Sequence, residues 1–305
     1  MTSTPIFIGG LDRSGKTYMR FMLESHPGII FSKRTNLWPK YYQKFGSLGK
    51  EQNLERCLIA LAKNKHILAL SPDFENLKSE FRQGTRSYER LFELIHRQFA
   101  ERKEKKFWGD QTEFLEYYAP ILLQTYPAAK FIQMIRDPRD RYAAIQKKPA
   151  SKQGLGIATA RWLNSANLAQ KNMDQFIDRY LVVRYETLVS DPAETISMVC
   201  NFLGVEYMPS MIQLDQIPRF ENQSSQDDSA SPITNKFIGQ FRNDLTQGQI
   251  AFIEFFSRQP MSQLQYQLVD SSENGRQRGT EYFQTWMFNL IQMLGWRVWT
   301  QLRRA

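Results

Sequence analysis

The stretch "PIFIGGLDRSGKTYMRFMLES", residues 5–25, restricts the fold more than any other part of the chain. An apolar run, a glycine-bearing turn and an amphipathic run with helical spacing describe a strand that feeds directly into a helix. Gly10, Gly15, Lys16 and Thr17 meet the Gly-x-x-x-x-Gly-Lys-Thr spacing, at which backbone N–H groups converge on phosphate oxygens. The helix N-terminus adds favourable potential for an anion, Lys16 adds a point charge and Thr17 a hydroxyl. Either a nucleoside triphosphate or another phosphorylated donor satisfies this device.

Two further apolar runs, "KFIQMI" (130–135) and "YLVVRY" (180–185), read as buried strands, each followed by a segment with helical spacing or capping residues. Strands alternating with helices predict a mostly parallel sheet covered on both faces, with the ligand outside the carboxyl ends of the strands. At 305 residues one large α/β domain is expected over 1–270. Helices over 50–100, within an insertion of about 35–105, separate the first and second βα units, and the charge run 101–106 reads as a solvated face. The stretches 146–156 and 221–232 lack apolar periodicity and read as mobile loops, the second a candidate lid.

The tail, 271–305, is aromatic and then basic. Uncharged from Tyr282 to Trp296, it includes Gln284, Thr285, Asn289 and Gln292, and falls short of the roughly 20 apolar residues of a span. It is expected to be an amphipathic helix, docked on the domain or lying at a membrane surface.

Lys and Arg outnumber Asp and Glu by 40 to 31, a net charge of +9, which favours an anionic partner. Cys57 and Cys200 are far apart, so neither a disulfide framework nor a thiol-rich zinc site is expected, and a reducing, cytoplasmic setting fits. The N-terminus has no basic region followed by an apolar one, so nothing argues for secretion. His26, His66 and His96 lack ligand spacing and read as packing residues.

An NTPase also needs a carboxylate after a second apolar strand to hold Mg²⁺. The strand in "KFIQMIRDP" instead ends in Arg136, and Asp137 before Pro138 reads as a helix N-cap. Arg13 places a second cation beside Lys16. Two cations without a metal ligand suit a transferred group of lower charge than phosphoryl.

"IFIGGLDRSGKTYMRFMLESHPGI" resembles the 5′-phosphosulfate loop of sulfotransferases that use 3′-phosphoadenosine 5′-phosphosulfate. "FIQMIRDPRDRYAAI" is similar to their 3′-phosphate motif, "VVRYETLVSDPAETISMVCNFLG" to their third shared segment, and "FIGQFRNDLT" resembles a fourth. The resemblance implies a three-layer fold related to nucleotide kinases, a P-loop-like parallel sheet flanked by helices on both faces. It implies that Arg13, Ser14, Gly15, Lys16 and Thr17 surround the phosphosulfate, that Arg136 binds the 3′-phosphate, and that Tyr18 and Tyr185 meet adenine or else pack within their own elements. It implies no metal, and 3′,5′-adenosine bisphosphate as product.

Three departures stand out. Lys16 occupies a position usually threonine, and Ala144 one usually serine, a contact that Ser165 or Lys236 would have to replace. Lys33 and Arg34 stand where tyrosine-modifying relatives carry a glutamate.

In-line transfer of the sulfuryl group to an acceptor hydroxyl, or alternatively an amine, requires a group that takes the acceptor's proton. Asp110 in "FWGDQTEF" is the expected base, or else the N-cap of a helix over 112–125, with Glu113 the second choice. Lys33, Arg34, Trp38 and Tyr41 are candidates for an acceptor pocket, Trp38 equally for the core. The expected acceptor is a small molecule, carbohydrate or lipid rather than nucleic acid, with oligomeric state open and the protein cytoplasmic or peripheral to the inner face of a membrane. The competing readings are an ATP-dependent small-molecule kinase and a nucleotide-binding or membrane-associated module without catalysis.

Overall fold

The computed structural model describes residues 4–147, 153–213, 234–269 and 280–302. Among them are five strands, β1 (Thr4–Gly9), β2 (Ile29–Lys33), β3 (Phe107–Gln111), β4 (Lys130–Ile135) and β5 (Tyr180–Arg184). All pair in parallel, in the order β2-β3-β1-β4-β5. Every carboxyl end therefore lies on one edge. The chain winds from β1 to one side for β2 and β3, then crosses to the other for β4 and β5, so the reversal that favours a ligand crevice falls beside β1.

Thirteen α-helices accompany these strands among the described residues. α1 (Lys16–Glu24) follows β1, and α2 (Glu51–Leu61), α3 (Lys65–Leu68), α4 (Phe74–Arg82) and α5 (Tyr88–Arg102) form the insertion. α6 (Ala119–Thr125) leads to β4, and α7 (Pro138–Gln146) and α8 (Leu155–Gln175) lead on to β5. α9 (Tyr185–Ser190), α10 (Pro192–Leu203), α11 (Phe241–Asp244), α12 (Gln247–Gln263) and α13 (Thr280–Leu302) complete the chain.

The sheet is buried on both faces, which is why its central strands read as unbroken apolar runs. Ile6, Ile8, Ile132, Met134 and Val183 pack with Met19, Met22 and Leu23 of α1 and with Ile196 and Val199 of α10. Phe7, Trp108, Phe131 and Tyr180 pack on the opposite face with Leu91, Phe92 and Ile95 of α5 and Leu122 of α6. Trp38 belongs to this second core, 1% exposed, its ring edge-on to Phe92 at 5.3 Å. A core role, and not the acceptor pocket, is therefore the one it fills.

Three expectations change. The strand β2 is not among those the sequence marks, because "IIFSK" is short and ends in polar residues; the helical insertion accordingly falls between β2 and β3. No helix spans 112–125: Phe114 takes a left-handed φ of 63° that interrupts it, Leu115–Tyr117 form a single 3₁₀ turn, and α6 opens with Pro120 in its first turn. Helices reach into both ends of the loop expected at 146–156, whose residues 148–152 lie outside the described residues. So do 221–232, the candidate lid, and 271–279 of the tail.

Candidate active site

The loop after β1 is shaped by backbone conformation. Gly10 and Gly15 have φ of 119° and 90°, and a Cβ on Gly10 would lie 2.2 Å from the Met134 carbonyl oxygen, one on Gly15 2.7 Å from the Tyr185 ring. Only glycine fits both. Arg13 also takes a left-handed φ, 63°, a strain of about 1–2 kcal/mol per residue that clusters at functional turns. α1 begins without a side-chain cap, so the N–H groups of its first turn face the loop interior. Lys16 is 6% exposed, and its Nζ donates to the carbonyls of Gly10 (2.7 Å) and Leu11. Burial pushes the Lys16 pKa down, against the pull of Glu113, Glu116 and Asp12, and Arg141 adds to the lowering. The Ser14 hydroxyl donates to the Leu11 carbonyl at 2.7 Å, and Thr17 is half-buried one residue into α1.

Two clamps that no motif announces hold this loop. Glu116, fully buried on the 3₁₀ turn, accepts from the Gly10 N–H at 2.8 Å and from the Ser165 hydroxyl at 2.8 Å. Arg141 of α7 donates through Nε to the Asp12 carbonyl at 3.0 Å and forms an ion pair with its carboxylate. Burial works to raise the Asp12 pKa, but Arg141, Arg161 and Lys16 outweigh it and keep the group below its ordinary value. Glu116 lies 106 residues from Gly10, and only the fold brings them together.

Arg136, at the tip of β4, is 7% exposed. Its Nη1 donates to the Arg13 carbonyl at 3.3 Å and its Nη2 to the Phe237 carbonyl at 2.8 Å, while its guanidinium lies 4.4 Å from the centre of the Tyr185 ring. Among the described residues its buried Nε has no partner, an orphaned donor of the kind that an anion satisfies. Tyr18 and Tyr185 face each other with ring centres 6.5 Å apart. Asp137 caps α7 as expected, accepting from the Arg139 N–H at 2.9 Å with Pro138 next in line. Exposed Lys236 precedes Phe237, the residue whose carbonyl Arg136 grips. Ser165 does not compensate for Ala144: its hydroxyl donates to Glu116 and accepts from Gln133 Nε2 at 3.0 Å, deep under the sheet.

The tips of β2 and β3 form the other half of the edge. Asp110 is fully buried within β3. Its carboxylate accepts from the hydroxyls of Ser32 (3.3 Å), Thr35 (3.2 Å) and Thr112 (3.2 Å), and His96 Nε2 lies 3.9 Å away. Burial pushes the Asp110 pKa up to about 6 against those hydroxyls, and pushes that of His96 down to about 3, so the histidine is neutral. Asp110 is thus neither a helix cap nor open to an acceptor; it fastens the β2 loop to β3. Glu113, three residues on, is exposed and acts electrostatically on Lys16. Beside it the Arg161 guanidinium stacks 4.5 Å over Phe114. Burial, and after it the positive charges of Lys65, Arg34, Lys33 and Lys40, lower the His66 pKa, and nearby Asn64 Nδ2 ties α3 to the Thr35 carbonyl (3.0 Å) and the Tyr41 hydroxyl (3.2 Å).

Comparisons with known proteins place the chain in a family. Residues 5–209 match a family model described as Sulfotransferase family. The protein-tyrosine sulfotransferase of Drosophila melanogaster is 24% identical over 259 residues, 79% of this chain and 48% of that protein, so the chain spans about half the length of that relative. Carbohydrate sulfotransferase 2 of Homo sapiens is 30% identical over 161 residues, 45% of this chain and 30% of that protein. Among solved structures, the sulfotransferase domain of the Synechococcus olefin synthase superposes with a TM-score of 0.60 at 21% identity, covering 88% of this chain and 96% of that one. That of the curacin biosynthetic pathway superposes with a TM-score of 0.52 at 18% identity, covering 88% and 99%.

Proposed function

We propose, from the premise that the chain belongs to the sulfotransferase family, that it transfers a sulfuryl group from 3′-phosphoadenosine 5′-phosphosulfate to a hydroxyl on a small-molecule or carbohydrate acceptor. One observation carries the reading. The cationic loop and the cationic strand tip are a single wall, joined where Arg136 grips the Arg13 carbonyl and packs on Tyr185, opposite Tyr18. A donor charged at both its 5′ and 3′ ends would find a cation for each end beside an aromatic pair.

Arg13, Ser14, Gly15, Lys16 and Thr17 would hold the phosphosulfate, Arg136 and Lys236 the 3′-phosphate, and Tyr18 and Tyr185 the base. When bound, the donor supplies an electrophilic sulfuryl group on a phosphate leaving group. Lys16, Arg13 and the N–H groups of α1 stabilise the charge that develops on the departing oxygen, and they are fixed before reaction by the Glu116 and Arg141 clamps. Exposure beside Lys16 favours Glu113 over the sealed Asp110 as the carboxylate that takes the acceptor proton. Phe114 and Arg161, next to Glu113, would be the first groups an acceptor meets there. The relatives named for tyrosine and carbohydrate support a hydroxyl as the group modified.

A thermal-shift comparison tests this reading. 3′,5′-Adenosine bisphosphate should stabilise the protein, by about 2.7 kcal/mol at a hundredfold excess over its Kd, without Mg²⁺. Stabilisation by ATP with Mg²⁺ and none by the bisphosphate would replace the sulfotransferase reading with the kinase one.

A further inference from the structure

Helix α13 is apolar on two opposite faces. One docks on α8, with Met293 2% and Asn289 7% exposed and Leu290 and Trp296 packed beside Ala160 and Leu163. The fit is close: a Cβ on Gly156 of α8 would lie 1.9 Å from the Asn289 carbonyl oxygen. The other face carries Met287 (43% exposed), Phe288 (63%), Ile291 (64%), Leu294 (48%) and Val298 (56%). Their spacing of three and four residues forms one continuous stripe on a 23-residue helix. Phe255 of α12, 66% exposed, extends the stripe sideways, its ring 5.3 Å from that of Trp286. A helix docked on a globular domain normally turns polar residues outward, so an outer face this apolar marks an interaction surface.

The charges around the stripe identify what covers it. Exposed Arg297 and Arg258 flank it, and the sequence adds Arg303 and Arg304, while Glu281 is the only acidic residue from 280 to 305. A second copy would bring these arginines, and two chains of +9, face to face. An anionic lipid surface complements them. Among the described residues no helix is long and apolar enough to cross a membrane, which leaves α13 to lie in the interface plane.

We propose that the outer face of α13, with Phe255, is a membrane-docking surface that holds this protein on anionic lipid bilayers. The inference is independent of the transferase reading, since none of these side chains belongs to the strand-tip site.

The test is co-sedimentation of the full chain with vesicles of equal parts phosphatidylglycerol and phosphatidylcholine, and with vesicles of phosphatidylcholine alone. The wild type should bind the anionic vesicles, bind the neutral ones far less, and release as salt rises. F288E and I291E change exposed side chains, so they should keep the wild-type thermal midpoint while losing about tenfold or more of vesicle affinity. Unchanged binding by both variants, or equal binding to neutral vesicles, would overturn the proposal. So would a wild type that ignores vesicles and sediments as a dimer which either variant dissolves, the outcome expected if a second copy covers the face.

Discussion

The two halves of the strand-tip edge are built in opposite ways. At the tips of β1 and β4 the working groups are cations held by short-range geometry: a turn only glycine can make, a helix without a side-chain cap, and an arginine at a strand end. At the tips of β2 and β3 they are carboxylates, and two of them three residues apart have contrary environments. Asp110 points from β3 into the helical layer and is sealed by three hydroxyls, whereas Glu113 has left the sheet and meets solvent beside Lys16. Side chains alternate across a strand, so Gln111 between them turns to the other face and accepts from Arg20 Nε at 3.1 Å. Placement, rather than residue type, separates a sealed carboxylate from an exposed one.

The largest effect is expected where this contrast is sharpest. Glu113→Gln should lower turnover by roughly 10²–10⁴-fold, the usual worth of a positioned general base, while leaving bisphosphate affinity unchanged. Single-turnover sulfation with labelled donor, set beside calorimetric titration with the bisphosphate, reads both quantities. Full turnover in this variant would remove Glu113 from the mechanism and reopen the assignment of the base.

On the cationic half the contrast predicts a binding effect. Arg136→Ala should weaken 3′,5′-adenosine bisphosphate by about 1.5–3 kcal/mol, the range for hydrogen bonds to charged groups, with a much smaller change for adenosine 5′-phosphate. An equal loss for both nucleotides would show that Arg136 acts only by bracing the Arg13 carbonyl and the Phe237 segment.

The cationic half is largely legible in the sequence. Its loop residues are contiguous, its capping pair Asp137–Pro138 is local, and its strands read as apolar runs because both sheet faces are covered. What escapes is long-range. Neither the Gly10–Glu116 bond nor the Asp12–Arg141 pair leaves a mark in local spacing, and Ser165 gives no sign that it is committed to Glu116. The position of Asp110 at the end of a short strand can be read locally, but its burial comes from α5 and from the loop bearing Thr35, elements far away in the chain. A residue's exposure is the last property to emerge from a sequence, because it depends on everything that packs around it.

Asp110 provides the most discriminating effect. Its ordinary pKa of 3.8 rises to about 6 in the fold, chiefly through burial. Between those values the folded protein keeps a proton that the unfolded chain has released, so this group's contribution to stability falls as pH rises through the window and its full cost is present above pH 6. A shift of that size corresponds to about 3 kcal/mol. The amide introduced by Asp110→Asn cannot ionise, and the three hydroxyls that face this position can rotate to serve an amide oxygen. The melting temperature of that variant relative to wild type should therefore climb by several degrees between pH 4 and pH 7, while most turnover at pH 7 survives. A difference in melting temperature that ignores pH would deny the buried charge. Loss of turnover in a variant that melts no lower than wild type would return Asp110 to the chemistry and erase the contrast with Glu113.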